Sequence, residues 1–319
     1  GHALYEFIEA RWGKDGVRQF LFSLRKSAIG GGSSPYEEAF QMPAREFDQQ
    51  FEKYLKDRFK AFRDKERPAD YGQDLSPDPE KSQYTGAISI EPSPSGDLIA
   101  VATGNRRDQE LDIILVSSKA GELVRNLTPG FDMDRGFEYI AYPSLSNMVP
   151  WMSWSPVGDR LAYFVRNEKY KTLIVQNVLT GKIDRRFNIE SVDNPESPNI
   201  SPDGRTALFS GLRSATGDIF KLDLDSGEIT NLTNDEFADY APVHSPDGRF
   251  VVYLARISGS QKLFRLDVDS GKKTQLTFGT QDEAAAKFLD ADTLVFSSTA
   301  TDPATPLTPD VARNGNIFN

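Results

Sequence analysis

A histidine, a serine and an aspartate lie within four positions of one another in the stretch PVHSPDGRFVVYL, residues 242–254. They are His244, Ser245 and Asp247, the residue types that serine hydrolases use as base, nucleophile and orienting acid. The only other histidine is His2, so any imidazole base in the body of the chain must be His244. Neighbours on a strand point to opposite faces, however, whereas a triad needs all three side chains to converge.

The same sequence pattern recurs without the histidine, which indicates a turn and not a catalytic site. Ile200 takes its place in PNISPDGRTALFS, and Trp154 takes it in MSWSPVGDRLAYF. In Ser-Pro-Asp-Gly the proline fixes φ, the aspartate bonds back to the backbone, and the glycine adopts the left-handed conformation. We therefore predict hairpin turns with Gly204 and Gly248 at positive φ, and no catalytic residue in this chain.

Two markers repeat in register along the second part of the chain. The turn recurs at Pro94, Pro156, Pro202 and Pro246. A second turn-like marker, which ends in glycine, recurs at Gly121, Gly181, Gly227 and Gly271. Each unit of about 44 residues in the best copies holds four short apolar or alternating runs. Four antiparallel strands per repeat are typical of a β-propeller blade, so the predicted fold is mainly β.

The best repeats contain, in order, the SPDGR turn, an apolar strand, LDLDSG or LDVDSG, and LT. This order resembles the blades of TolB-like propellers and of prolyl oligopeptidase propeller domains. The resemblance covers residues 84–319 and implies about five four-stranded blades. The propeller is expected to be incomplete, because GNIFN at residues 315–319 aligns with KLFRL and the chain then stops inside the fifth blade. The edge strand would be open to the missing remainder of the chain or to another protein.

The first part of the chain has helical periodicity. Apolar residues recur at helical spacing in three segments, the first of which contains Leu4, Phe7 and Ile8. We predict an α-helical module over residues 1–63. Residues 64–83 are charged and rich in proline, and are predicted to link this module to the propeller over residues 84–319.

Local signals place the ends of the predicted helices. Gly13 and Gly16 are expected to separate the first two helices. The segment GGGSSPYEEAF predicts a loop followed by a helix, with Ser34 and Glu37 forming a capping box. Pro43 is expected to open the third long helix, since proline is favoured at a helix start.

The helical part of the chain resembles the C-terminal helical tail of peptidase MA-like gluzincin zinc peptidases. The resemblance is carried by the segments ALYEFIEARWGKDGVRQFLFSL, EEAF and PAREFDQQFEKYLKDRF. In such proteins a TolB-like propeller can follow the peptidase domain. The family's His-Glu-x-x-His motif does not occur in this chain, so the resemblance implies a catalytic region upstream of residue 1. His2 alone cannot hold a catalytic zinc, which takes three protein ligands.

The alternating aspartates of LDLDSG and LDVDSG raise the question of calcium binding. An EF-hand loop needs glycine at its sixth position and glutamate at its twelfth, and neither requirement is met here. A hairpin turn accounts for Asp225, Ser226 and Gly227. We therefore predict no metal ligand and no cofactor.

Composition limits the class of protein. The chain has 319 residues, of which 38% are hydrophobic and 26% charged. No apolar run approaches the roughly 18 residues of a membrane-spanning helix, so no membrane span is predicted. A net charge of -10 argues against nucleic acid as a partner. The absence of cysteine excludes disulfides and fits a periplasmic or secreted bacterial protein.

Acidic residues collect between the last strand of one predicted blade and the first strand of the next. In a propeller these connections meet at one mouth of the central channel. The candidate binding residues are Asp132, Asp134, Asp193, Asp235, Glu236, Asp239, Asp282 and Glu283. They are either ordinary solvated loop residues or a focused negative field that attracts a basic peptide or a cation.

Two classes of function follow from the sequence. The first is a noncatalytic propeller that binds a protein or peptide partner in an extracytoplasmic compartment, with the helical module as a docking piece. The second is the C-terminal part of a zinc metallopeptidase, in which the propeller gates or presents the substrate. A His-Glu-x-x-His motif encoded upstream of residue 1 would favour the second class.

Overall fold

The computed structural model describes residues 2–28, 34–60, 72–76, 81–130, 138–143, 149–167, 169–300 and 316–318. The chain forms two compact units, residues 1–74 and residues 75–319. The division lies inside the segment that the sequence analysis treats as a linker. The described helices lie in residues 1–74, and the strands lie in residues 75–319.

The first unit contains the helices α1 (His2–Ala28), α2 (Pro35–Phe40) and α3 (Ala44–Arg58). Aromatic side chains build its core: Phe7 and Phe47 meet edge to face with their ring centroids 5.4 Å apart, and Trp12 stacks on Phe40 at 4.2 Å. These side chains recur at helical spacing and therefore share one face of each helix. The resemblance of this unit to a gluzincin tail stays a prediction.

The ends of the helices differ in part from the expectation. Gly13 alone interrupts the first helix, with φ 68°, while Gly16 continues it. The capping box is wrong, because the Ser34 side chain makes no cap hydrogen bond. Pro43 precedes the third helix as expected.

The second unit consists of successive antiparallel sheets, which we call blades 1 to 5. Blade 1 contains β1 (Tyr84–Pro92), β2 (Leu98–Asn105), β3 (Glu110–Ser117) and β4 (Leu123–Asn126). Blade 2 contains β5 (Tyr139–Ile140), β6 (Met152–Trp154), β7 (Arg160–Arg166), β8 (Lys171–Asn177) and β9 (Ile183–Ile189). Both β5 and β6 pair with β7.

The remaining blades follow the same meander. Blade 3 contains β10 (Asp193–Ile200), β11 (Thr206–Arg213), β12 (Thr216–Asp223) and β13 (Ile229–Asn231). Blade 4 contains β14 (Ala238–His244), β15 (Phe250–Ile257), β16 (Ser260–Asp267) and β17 (Lys273–Gln275). Blade 5 contains β18 (Glu283–Phe288), β19 (Leu294–Ser298) and β20 (Asn316–Phe318). The predicted propeller with an N-terminal helical segment is confirmed, and no sheet closes on itself within the described residues.

The turn at His244 has the predicted form. Ser245 Oγ donates to Asp247 Oδ1 at 2.6 Å and accepts the N–H of Phe250 at 2.9 Å. His244 Nδ1 lies 2.8 Å from Oδ1 of Asn199, in the preceding blade. Serine, histidine and aspartate therefore do not form a chain of hydrogen bonds, and the turn interpretation is confirmed.

Substitution of Gly248 by valine is expected to destabilise the propeller by about 1–2 kcal/mol. Gly248 has φ 74°, a region that β-branched residues avoid. A Cβ at this position would meet only Pro202 Cδ, at 4.0 Å, so the cost is conformational and not a clash. Chemical denaturation would measure it. Gly248→Asn is the matched control, since asparagine tolerates this region, and equal losses for both variants would contradict the explanation.

Antiparallel pairing gives each blade two distinct ends. In blade 3, Asp193 of β10 pairs with Leu212 of β11, and Arg213 pairs with Thr216 of β12. The turn between the second and third strands therefore lies at the same end as the segment that enters the blade. We call this the loop end. The Ser-Pro-Asp-Gly turns and the turns before the last strands lie at the opposite, turn end.

Hydrogen bonds join the innermost strands of successive blades. They run from Trp154 Nε1 to Glu91 O (2.8 Å), from Ile200 N to Ser153 Oγ (3.0 Å) and from His244 N to Asn199 Oδ1 (2.9 Å). Lys287 of blade 5 donates to both carboxylate oxygens of Glu91 in blade 1, each at 2.8 Å. Side chains thus connect the innermost strands of the first and fifth blades, although these strands share no sheet.

Candidate functional site

The structure places the described acidic candidates at the loop end, as the repeat register requires. Asp193 begins β10, Asp235 and Glu236 precede β14, and Asp282 precedes β18. Asp239 and Glu283 lie at the starts of β14 and β18. Asp132 and Asp134 lie outside the described residues. Position alone, however, does not make these carboxylates available to a ligand.

Glu283 is a buried partner in an ion pair and not a solvated loop residue. Its Oε2 lies 3.3 Å from Nζ of Lys262, and both side chains are buried between blades 4 and 5. The Lys262 ammonium also donates to the backbone carbonyl of Gln281. Burial raises the pKa of the Glu283 carboxyl, and the nearby Lys262 opposes that rise. This pair joins two blades, which corrects the expectation that Glu283 contributes to an open mouth.

Asp239 is also buried, with 2% of its surface exposed. Neither of its carboxylate oxygens has a hydrogen-bond partner among the described residues. Burial raises the pKa of Asp239 to about 8, and the neighbouring Asp235 carboxylate adds to the rise. The carboxyl is therefore largely neutral at pH 7. Asp239 supplies little of the negative field that the sequence predicted for it.

Two further acids are engaged by their surroundings. Asp235 forms a close ion pair with Lys273, which also donates to the carbonyl of Thr233. Asp282 accepts the backbone N–H of Gln261 at 2.8 Å. Both contacts join an interblade segment to a neighbouring strand, so these carboxylates stabilise the loop end itself.

Asp193 and Glu236 are the remaining described candidates. Both are exposed, and neither carboxylate has a hydrogen-bond or ion-pair partner within the described ranges. Glu190, three residues before Asp193, is exposed in the same way. Asp193, Glu236 and Glu190 therefore keep free negative charge at the loop end.

Basic residues at the same end were missed by the sequence analysis. In blade 2, Arg166 ends β7 and Lys169 follows it. Arg213 lies in β11 of blade 3, and Arg256 lies in β15 of blade 4. Arg166, Lys169 and Arg256 are exposed. The predicted antiparallel meander already implied this placement, because the turn after the second strand must return to the end at which the first strand begins. The loop end carries both signs of charge.

A cavity of about 660 Å³ opens at the loop end between blades 2 and 3. One wall holds Arg166 and Lys169, between which Glu168 lies outside the described residues. The other wall is the entry to β10, which contributes Glu190 and Asp193. Its volume lies within the usual range of about 300–1,000 Å³ for ligand pockets. We take this cavity as the candidate binding site.

Lys171 forms the floor of this cavity. Its side chain is buried, and Nζ donates to the carbonyl of Pro195 at 3.3 Å. Burial lowers the pKa of Lys171, while the carboxylate of Glu196 acts against the change. This hydrogen bond joins Lys171, at the start of β8 in blade 2, to Pro195 in β10 of blade 3. It therefore links the two blades at the floor of the cavity.

The repeated aspartates and threonines have structural roles. Asp223 Oδ1 accepts the N–H of Asp225 at 2.9 Å and that of Ser226 at 2.7 Å, which closes the hairpin turn and confirms the turn interpretation. Thr233 Oγ1 accepts the Ile219 N–H at 3.0 Å, so the LT marker connects the last two strands of a blade. Within the described ranges, no group of three or more histidine or acidic side chains could hold a metal ion.

The sequence pattern of the TolB beta propeller domain family matches residues 131–313. The chain belongs to this family. None of the curated proteins compared with it matches. The match begins near the entry to blade 2 and extends past β19, so the repeats that form the candidate site lie inside it. Membership shows the fold of this region and leaves the partner open.

Several solved structures are similar to this chain at low sequence identity. A TolB protein from Agrobacterium tumefaciens is 20% identical, with TM-score 0.48, and the match covers 60% of this chain and 64% of that one. TolB from Acinetobacter baumannii is 18% identical, with TM-score 0.47, and the match covers 71% and 51%. An oligogalacturonate lyase in complex with manganese is 13% identical, with TM-score 0.51, and the match covers 72% and 64%. The chain spans less than two thirds of the length of each of these proteins.

Proposed function

We propose that this TolB-family propeller is a noncatalytic module that binds a protein or peptide partner in an extracytoplasmic compartment. The observation that carries the proposal is the cavity between blades 2 and 3, whose walls hold charged side chains without an ion-pair partner among the described residues. Charged groups that face a cavity without a protein partner are available to a ligand. The peptidase alternative depends on residues upstream of this chain and stays a prediction.

The residues around His244 support the noncatalytic part of the proposal. Ser245 is buried and bonded within its own turn. Burial lowers the pKa of His244 to about 4, so its imidazole is neutral at pH 7. Its Nδ1 is directed at Asn199 and not at the serine. A nucleophile needs a base within hydrogen-bond reach, which this arrangement does not provide.

The lack of cysteine is compatible with the extracytoplasmic part of the proposal, since a chain without thiols needs neither an oxidising nor a reducing compartment. No helix in the described part of the chain is long and apolar enough to cross a membrane. Fractionation of cells that express the full-length gene would test the compartment. Recovery of the protein in the cytoplasmic fraction alone would contradict it.

Selection of a randomised heptapeptide library on the immobilised chain would test the binding function. We expect the enriched peptides to bind at the loop end, so that the variant R166Q/K169Q/E190Q/D193N loses at least tenfold in affinity. The matched control K119Q/E122Q/D269N/K272Q neutralises two acids and two bases that are exposed in the turns at the opposite end. Fluorescence anisotropy would measure both. Equal losses in the two variants, or no enrichment on the parent chain, would contradict the proposal.

A further inference from the structure

A cavity of about 640 Å³ opens between blades 2 and 3 at the turn end, opposite the candidate site. Two turns border it: the turn from β6 to β7, with Pro156 and Val157, and the turn from β10 to β11. A Cβ placed at Gly158 would lie 3.4 Å from Pro94 of blade 1, whereas at Gly204 of blade 3 no described atom beyond its chain neighbours lies within 4 Å. The turns of blades 1 and 2 therefore lie close together, while those of blades 2 and 3 are separated by the cavity.

Val157, at the rim of this cavity, departs from the repeat. The position after the turn proline is a serine in blade 1 and an aspartate in blades 3 and 4. There, Asp203 and Asp247 each accept a hydrogen bond from the serine of their own turn. In blade 2 the corresponding serine, Ser155, donates to Asp159 at 2.8 Å. The turn thus closes without residue 157, and the Val157 side chain is 80% exposed.

Ile200, on the floor of the cavity, is a second departure from the repeat. The last residue of the innermost strand carries a ring in blades 2, 4 and 5, where it is Trp154, His244 and Phe288. Each ring lies against the preceding blade: Trp154 Nε1 donates to the Glu91 carbonyl at 2.8 Å, His244 bonds to a side chain of blade 3, and Phe288 packs on the core of blade 4. In blade 3 an isoleucine stands at this position and supplies no ring to the junction with blade 2.

Charged side chains around the cavity are paired within the protein. Arg160 binds Asp159 at 2.6 Å and Asp184 at 2.7 Å, and Arg185 of blade 2 binds Asp225 of blade 3 at 3.0 Å. Arg160 uses Nη1 and Nε in its contacts, so the N–H groups of Nη2 can donate to a ligand carbonyl. Planar guanidinium groups also stack on aromatic rings. The walls therefore combine apolar surface with guanidinium planes and hydrogen-bond donors.

We infer that this cavity binds an aromatic side chain presented by a peptide segment. The ring would lie beside Ile200, in the place that the chain's own rings take at the neighbouring junctions, and would contact Val157 at the rim. Backbone carbonyls next to the ring would accept hydrogen bonds from Arg160. Aromatic side chains bury a large area and pack face to face on flat groups, which favours a ring over an aliphatic side chain here. This site lies at the other end of the blades from the candidate site and does not depend on it.

Titration with acetyl-Gly-Trp-Gly-amide would test the inference, with the chain isotope-labelled in its isoleucine and valine methyl groups. The ring current of a bound indole should shift the methyl resonances of Ile200 and Val157. Acetyl-Gly-Leu-Gly-amide should bind at least about fivefold more weakly. Free indole should also bind more weakly than the tryptophan peptide, since it has no carbonyl to accept from Arg160. The peptide carries no net charge, so added salt should leave its affinity unchanged.

Two variants should lose the bound ring. I200W fills the cavity with an indole of the chain itself, and V157D replaces the apolar rim by the residue type that blades 3 and 4 carry. Each should weaken binding of the tryptophan peptide by at least about fivefold. L179D is the matched control, because Leu179 is exposed in the other turn of blade 2, where the repeat also carries an aspartate, Asp225. That control and the loop-end variant R166Q/K169Q/E190Q/D193N should bind the peptide as the parent chain does.

Several results would overturn the inference: unshifted methyl resonances at Ile200 and Val157, equal affinity for the leucine peptide, or equal affinity for free indole. Equal losses in V157D and L179D would indicate adhesion to any exposed apolar surface. Binding lost in the loop-end variant but kept in V157D would place the peptide in the other cavity. V157D keeps the test decisive if I200W fails to fold, because aspartate forms this turn in blades 3 and 4. Circular-dichroism melts verify the fold of each variant.

Discussion

Replacement of Asp239 by asparagine is expected to stabilise the propeller at pH 7 by on the order of 2 kcal/mol or more. Asp239 is buried, and neither of its carboxylate oxygens has a hydrogen-bond partner among the described residues. Ionisation inside the fold is costly there, because burial penalises the charge and Asp235 and Asp218 add negative charge, which Thr233 and Lys273 offset only in part. Asparagine keeps the shape of the neutral acid and cannot ionise.

The pH dependence gives this prediction a second readout. The pKa of Asp239 is about 8 in the folded protein, against roughly 3.9 for an aspartate in an unfolded chain. Between these values the folded state holds a proton that the unfolded state has lost. The contribution to stability is complete below pH 4 and decreases by about 1.4 kcal/mol per pH unit until the pH passes 8. Asp239→Asn should remove this slope.

Urea denaturation at several pH values between 4 and 9 would measure the difference between the variant and the parent chain. Glu236→Gln is the matched control, because it removes one carboxylate from the same interblade segment at an exposed position. That control should change the free energy of unfolding by less than about 0.5 kcal/mol. Equal pH profiles for Asp239→Asn and the parent chain would show that Asp239 is ionised in the fold.

Replacement of Lys262 by methionine is expected to destabilise the propeller by about 3–5 kcal/mol. Lys262 and Glu283 are buried together, 3.3 Å apart, at the junction of blades 4 and 5. Removal of the ammonium leaves the Glu283 carboxylate without its charge partner, and also leaves the carbonyl of Gln281 without its donor. Thermal or chemical denaturation would measure the loss.

The double variant K262M/E283M distinguishes charge from packing. If the loss comes from an unpaired buried charge, replacement of both partners by apolar residues should recover most of the stability. Lys273→Met is the matched control, since Lys273 also pairs with an interblade carboxylate, that of Asp235, but both side chains are partly exposed. It should lose about 1 kcal/mol or less. A double variant as unstable as K262M would contradict the assignment.

Much of the fold could be predicted from local sequence. The turn at Gly204 and Gly248 depends on residues that lie next to one another, so its conformation follows from the properties of proline, aspartate and glycine. Repetition of that turn at a constant period then implies repeated hairpins. The capping box at Ser34 failed although it is also local: the Ser34 side chain makes no cap hydrogen bond.

The candidate site could be predicted only in part. The repeat register places Asp193, Asp239 and Glu283 at one end of the blades, and the structure has them there. The sequence does not show that Asp239 and Glu283 turn into the interface between blades while Asp193 faces solvent. Burial depends on the neighbouring blade, which is distant in sequence, and it decides which carboxylates are charged and free.

The sequence by itself determined the strand repeat, the turn chemistry and the end of the propeller at which the interblade acids gather. These features depend on neighbouring residues and on a period, both of which can be read along one chain. Only the tertiary structure decided the surroundings of those acids. Glu283 pairs with Lys262, Asp235 pairs with Lys273, and Glu190 lines the cavity between blades 2 and 3. Electrostatic energy depends on distance and solvent exposure, and both arise only when the blades pack against one another.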